Sequence, residues 1–382
     1  MHKIYSASRA LIIAVSLCAF VSSCGKSKTV NAPAPLISEA DLKARLAELQ
    51  SRRMDVQGFA VAVYLPNGTI VSAATGEADP DGRPMTPDTP VRMASITKTF
   101  VAVAVLRLWE DKSIDLDASI GDLISAEHSE ILTSDGYDVD RITVRHLLMH
   151  AGGLNDHFGG DAFKSMVLSE PTRKWTRTDQ LKIMIDTTDP VSEPGYVFAY
   201  SDTGYLLLGE ILERLTDEPL GSAVRRLVKF DRIGIADAWW DAEETPSENV
   251  PNRAHQWLGD IDTYPIDGSV DAYGGGGVVA NAEDIARFFS ALFSGEVFDR
   301  AETLQLMIEA PGHPEESPYR IGLFERSIHG HVAFGHGGFW GTDVFVLPEL
   351  NVTVSGVALN ASGIDDLRQW EAELIKEYIV SD

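Results

Sequence analysis

Ser95-Ile96-Thr97-Lys98 constrains this chain more than any other stretch. In a helix, residues three apart stack on one face, which puts an amine within reach of the serine hydroxyl. A hydroxyl is a weak nucleophile at neutral pH, and an amine held neutral beside it can take its proton. The four residues prove little alone. The pattern turns up about once by chance in a chain of this size, and a second copy stands at Ser23-Cys24-Gly25-Lys26. Context separates the two: Ser95 opens a long apolar helical run, and matching partners follow far downstream.

The other copy belongs to a leader. His2, Lys3 and Arg9 form a basic start, and Ala10 to Val21 is an apolar stretch too short to span a bilayer comfortably. Val21-Ser22-Ser23-Cys24-Gly25 is similar to a bacterial lipobox. The expectation is a signal peptide over residues 1–23, cleavage before Cys24 and a lipid on its sulfur. Cys18 leaves with the leader, so no disulfide can form and stability rests on the core. Residues 24–37 are polar and proline-rich, a tether. The formal charge of −25 repels nucleic acid and anionic headgroups. Membrane contact then runs through the lipid alone, and the expected location is the bacterial cell envelope, facing the periplasm.

Residues 38–382 read as the working domain. Ser38 with Asp41 marks a helix start over Glu39 to Arg52. Asn67-Gly68 between Val56–Tyr64 and Thr69–Thr75 predicts a hairpin. The middle carries helical patterns, such as Val144 to His150 and Asp202 to Leu215, and long polar loops. Asn281 caps a further helix. Strand-like runs return at Arg320–Arg326, Val332–Gly335, Thr342–Leu347 and Val352–Leu359, with a closing helix from Gly363 to Val380. The fold class expected is α+β: an antiparallel sheet flanked by helices (38–110 and 270–382) with a mostly helical lobe inserted (111–269).

Three places carry the chemistry: Met93 to Phe100; Tyr200-Ser201-Asp202 within Glu193 to Tyr205; and His336-Gly337-Gly338-Phe339 within Phe334 to Thr342. In this order they resemble the serine β-lactamase and penicillin-binding protein superfamily, on the branch of class C β-lactamases, DD-peptidases, D-aminopeptidases and related esterases. That branch carries Ser-x-x-Lys, Tyr-x-Asn, then Lys-Thr-Gly or His-x-Gly. Linking stretches at Ile142–His150, Leu206–Gly209 and Gly275–Phe288 are similar too, and the likeness covers roughly residues 40–375. It implies that Ser95 is acylated, that Lys98 takes the serine proton from a buried site where desolvation lowers its pKa, and that Tyr200 shuttles a proton to the leaving group. It further implies an oxyanion hole from the Ser95 and Phe339 amides, with Gly338 as bare strand backbone along which substrate lies and His336 lining the pocket. Tyr196 and Tyr205 read as core, and Trp239, Trp240, Trp257 and Trp340 as core or as the wall of an apolar pocket.

Two residues depart from the family pattern. Asp202 stands where asparagine is usual; a carboxylate cannot donate to a substrate carbonyl, and it holds Lys98 in its charged form. His336 stands where β-lactamases carry lysine. Both tilt the expectation from β-lactams towards peptides and esters. The reading is a serine hydrolase acting through an acyl-enzyme on a small D-amino-acid peptide, an ester or a β-lactam amide, with no metal and no cofactor. The alternative is a non-catalytic binder of cell-wall peptides or a partner protein. His-Glu-x-x-His and Gly-x-Ser-x-Gly are both absent from the sequence. Oligomeric state is not readable from the sequence.

Overall fold

The computed structural model describes residues 37–378, all within the second of two compact units, Pro35–Asp382. The leader, Cys24 and nearly all of the tether lie outside the described residues. One tether residue is corrected. Ile37 is 1% exposed and packs with Leu42 and Leu46, so the folded domain has begun by that point.

Helix α1 (Glu39–Arg52) starts where Ser38 accepts the Asp41 amide at 3.2 Å, which satisfies one orphan donor of the first turn. It leads into β1 (Gly58–Tyr64) and β2 (Ile70–Gly76), whose turn uses Gly68 at φ +82°. After the Ser95 turn comes α2 (Thr97–Glu110). The middle contributes α3 (Val144–Leu148), α4 (Asp202–Thr216) and further helices such as Asp161–Ser169 and Leu220–Val228. Asn281 accepts the Asp284 amide to start α5 (Ala282–Phe293). The chain closes with β3 (Phe324–Ile328), β4 (His331–Gly338), β5 (Thr342–Leu347), β6 (Val352–Ala358) and α6 (Ile364–Tyr378).

The strands form one antiparallel sheet in the order β2-β1-β6-β5-β4-β3. Chain ends therefore meet at its centre, where β1 pairs with β6. Two-residue alternation sorts β1: Phe59, Val61 and Val63 face a core shared with α1 and α6, while Ala60 and Ala62 face the core shared with α2 and α5. Burial on both faces explains the apolar run of β1, and in β5 and β6 the same burial extends to Asp343, Thr353 and Ser355. The expected α+β architecture is the one observed.

The run expected at Arg320–Arg326 becomes a strand only from Phe324. The Arg320 amide donates back to the Leu323 carbonyl, and Gly322 (φ +70°) presses its backbone onto α2, so the chain bends before it joins the sheet.

Candidate active site

Ser95 lies in a short 3₁₀ turn, Ala94–Ile96, immediately before α2. Ala94 holds φ +47°, a left-handed conformation that costs a non-glycine residue about 1–3 kcal/mol. The turn is held from three sides. The Met93 amide donates to the Val278 carbonyl at 2.9 Å, the Val278 amide donates to the Thr97 hydroxyl at 3.1 Å, and the Thr342 hydroxyl donates to the Met93 carbonyl at 3.0 Å. Gly338 completes the clamp. A Cβ there would sit 2.3 Å from the Met93 carbonyl oxygen, so only bare backbone lets the end of β4 come this close to the Ser95 turn.

Lys98 follows one turn later and is 0% exposed. Its Nζ lies 3.0 Å from Ser95 Oγ, 2.6 Å from the Gly275 carbonyl oxygen, and against the Asp202 carboxylate. An amine nitrogen has three positions besides its carbon. Carbonyl and carboxylate only accept, so each must receive an N–H. The third position faces Ser95. When Lys98 loses a proton, the lone pair that results points at the serine hydroxyl.

The resting charge runs against the expectation for Lys98. Burial is the largest influence and pushes its pKa down, but Asp202 and Tyr200 together outweigh burial, and the net shift is upward. Asp202 holds the amine charged, and the desolvation expected to lower its pKa does not win. Asp202 opens α4, which Ser201 caps by accepting the Gly204 amide at 3.4 Å. The positive end of that helix favours a carboxylate there. The Asp202 side chain is 16% exposed and is committed to Lys98.

Tyr200 presents its ring to Lys98, with Nζ 5.1 Å from the centroid. Burial pushes the phenol up to about 12, while Lys98 and the hydroxyl's contact with Ser95 pull it down. It is a neutral phenol at physiological pH, able to donate a proton and poorly suited to start as the base. His150, absent from the expected site, packs against Tyr200 with ring centroids 4.3 Å apart and the rings tilted by 35°. Its Nδ1 accepts the Ser201 amide at 3.1 Å, which fixes the tautomer and the start of α4. The signal was in the His150-Ala151-Gly152-Gly153 stretch, read only as linking sequence.

His336 is buried. Its Nδ1 lies 2.8 Å from the Gly337 carbonyl, which can only accept, so Nδ1 carries the hydrogen and Nε2 accepts from the Tyr319 hydroxyl at 3.1 Å. Burial, then Lys98, push the imidazole down to about 3. No cation stands at this position. Phe339 is half-exposed at the mouth, edge-on to Phe158 with centroids 5.2 Å apart. Tyr205 is core and lies near Lys98, but Tyr196 is 74% exposed, which corrects its reading as core. The four tryptophans are buried in the fold.

A cleft of about 820 Å³ opens beside this cluster, lined by Tyr200, Phe324, His336, Gly338 and Phe339, with Arg326 and Arg368 at its far side. That size suits a small ligand. The three sequence-separated places thus converge: Ser95, Lys98, Tyr200 and Asp202 form one cluster, with His336, Gly338 and Phe339 along its rim.

The sequence matches the Beta-lactamase family over residues 46–375. The chain belongs to that family. Among curated relatives, Esterase EstB of Burkholderia gladioli is 32% identical over 225 residues, 56% of this chain and 56% of the esterase. A D-aminopeptidase of Gluconobacter oxydans is 25% identical over 308 residues, 78% of this chain and 54% of the peptidase. The chain thus matches about half the length of each. The crystal structure of a D-amino acid amidase from Ochrobactrum anthropi SV3 superposes with TM-score 0.71 at 24% identity, covering 88% of this chain and 97% of the amidase, a likeness of fold. The resemblance drawn from the three motifs is borne out: this Beta-lactamase family chain has relatives named as hydrolases.

Proposed function

We propose that the protein is a serine hydrolase that forms an acyl-enzyme on Ser95 and acts on small esters and D-amino-acid amides or peptides in preference to β-lactams. One observation carries the reading. A fully buried lysine lies 3.0 Å from a serine hydroxyl, and Tyr200 of the same cluster lines a cleft of about 820 Å³. In the first step the Lys98–Asp202 pair works as the base. Substrate entry excludes water and weakens the ion pair's advantage over a neutral acid and amine. The Lys98 proton passes to Asp202, rotation about the Cε–Nζ bond turns the freed lone pair to Ser95, Lys98 takes the Ser95 proton, and Oγ bonds to the acyl carbon, whose carbonyl electrons move to oxygen. The Ser95 and Phe339 amides receive the developing oxyanion. The adduct collapses and the bond between the acyl carbon and the leaving group breaks as Tyr200 donates its proton to that group; Tyr200 regains a proton from Lys98. Water then cleaves the ester by the reverse relay.

The substrate preference rests on the two departures. Asp202 cannot donate to a substrate amide, and neutral His336 offers a carboxylate no full charge. The names of the esterase and the D-aminopeptidase agree with this direction. We further propose export as a lipoprotein anchored through Cys24, which rests on residues 1–24 alone.

Side-by-side assay of p-nitrophenyl esters, D-amino-acid amides, D-Ala-D-Ala peptides and nitrocefin tests the proposal. Esters and D-amides are expected to turn over with kcat/KM at least about tenfold above nitrocefin. Nitrocefin as the best substrate overturns the preference. Binding of the peptides without any turnover of the panel supports the non-catalytic binder instead.

A further inference from the structure

Behind the ion pair sits a carboxylate that no part of the reaction scheme uses. Asp156 lies in the loop after α3, far from Asp202 in sequence. Its Oδ1 accepts the Asp202 amide at 3.2 Å and the Phe158 amide at 3.0 Å. The loop is pinned there by the Ser201 hydroxyl, which donates to the Asn155 carbonyl at 2.7 Å. Two carboxylates thus share the start of one helix, and only one of them has a lysine. We propose that Asp156 is a positioning residue whose charge, acting through the start of α4, sets how tightly Lys98 holds its proton. This inference rests on the serine-hydrolase reading for its kinetic consequence but not for its electrostatic one.

The groups facing Asp156 are few. Asp202 is the nearest like charge and Lys98, on α2, the opposing one; His157 is its neighbour in sequence, with Nδ1 3.0 Å from the Thr203 hydroxyl. Burial, then Lys98's opposing charge against Asp202's favourable one, leave His157 pushed down to about 4, so it stays neutral. Asp271 lines a cavity of about 10 Å³ together with Asp202, His157, Gln180 and Gly275. Burial, then the charge of Asp202, push Asp156 up to about 7, and the same two influences push Asp271 up to about 6.

The sign follows directly. Below neutrality Asp156 is uncharged, and Asp202, joined by Asp271 above about pH 6, opposes the loss of the Lys98 proton. As pH rises Asp156 ionises, a further negative charge appears, and Lys98 binds its proton more tightly. The gain in free amine that alkaline pH should bring is thereby damped.

The test uses the whole enzyme and two readouts. In protein labelled with ¹³C at the lysine ε-carbon, the Lys98 resonance is assigned by its loss in Lys98→Met. It is expected to show an inflection near pH 7 that disappears in Asp156→Asn and returns, displaced, in Asp156→Glu. In parallel, the rising limb of kcat/KM for a p-nitrophenyl ester is expected to move about one pH unit lower in Asp156→Asn, with KM nearly unchanged. Persistence of the inflection in Asp156→Asn, or superimposable pH profiles in an active enzyme, overturns the inference. An enzyme that turns nothing over yet shows and loses the inflection overturns the hydrolase reading and upholds this one. Loss of activity at every pH in Asp156→Asn, with Asp156→Glu equally inactive, assigns Asp156 a purely structural role and overturns it.

Discussion

Lys98→Met is expected to lower kcat/KM for a p-nitrophenyl ester by about 10³- to 10⁴-fold, the span of general-base contributions. Methionine fills the same volume in a site with no solvent exposure but has no proton to give or take. Ser95 Oγ then loses the amine that lies 3.0 Å from it. The fold is affected too. Asp202 and the Gly275 carbonyl are left facing a thioether, and breaking a buried pair costs about 3–5 kcal/mol. The double variant Lys98→Met, Asp202→Asn separates the two effects: denaturant unfolding should recover most of the stability while turnover stays absent. Recovered turnover in the double variant would show that Lys98 is structural.

Asp202→Asn should do the opposite to the amine. Without the carboxylate, Tyr200 is left as the main group opposing burial, and the Lys98 pKa is expected to fall below the ordinary lysine value. The rising limb of the pH profile is expected to move down by about two units or more. The asparagine amide also gains a donor for a substrate carbonyl. Nitrocefin acylation at pH 7 is therefore expected to rise about tenfold or more, with ester hydrolysis changing less. Stability carries a matching signature. In the wild-type protein Lys98 holds its proton above the ordinary range, so the pair's contribution is constant through neutral pH and is lost only at strongly alkaline pH. In Asp202→Asn the unfolded chain binds more protons than the folded one between the lowered Lys98 value and about 10.4, so Tm should climb with pH across that window. Unchanged nitrocefin turnover together with a flat Tm profile contradicts the role given to Asp202.

What the sequence disclosed was local or strongly patterned. Ser38, Asn281 and Asn67-Gly68 act on their own neighbours, and the structure uses each as expected. The Ser95–Lys98 contact is one helical turn long. The sheet was legible because β1, β5 and β6 are rich in valine and phenylalanine or other β-formers. What was missed depends on tertiary approach. Asp156 and Asp202 are near each other only because the loop after α3 folds onto the start of α4, and no periodicity records that. The charge on Lys98 turned on the balance between burial and one carboxylate, where the residue types give both signs but not the winner. Tyr196 sits on an exposed loop beside a buried tyrosine cluster, and composition cannot tell the two settings apart. His336 lines the cleft, while the Tyr319 hydroxyl that donates to it comes from a distant bend in the chain.

Mass spectrometry of the acid-quenched enzyme, taken during steady-state turnover of a slow ester and after fluorophosphonate treatment, tests the central claim most directly. A mass increase equal to the acyl or phosphonyl group, mapped to the peptide bearing Ser95 and absent in Ser95→Ala, is the expected result. Continued hydrolysis with no adduct, or with the adduct on another residue, contradicts it.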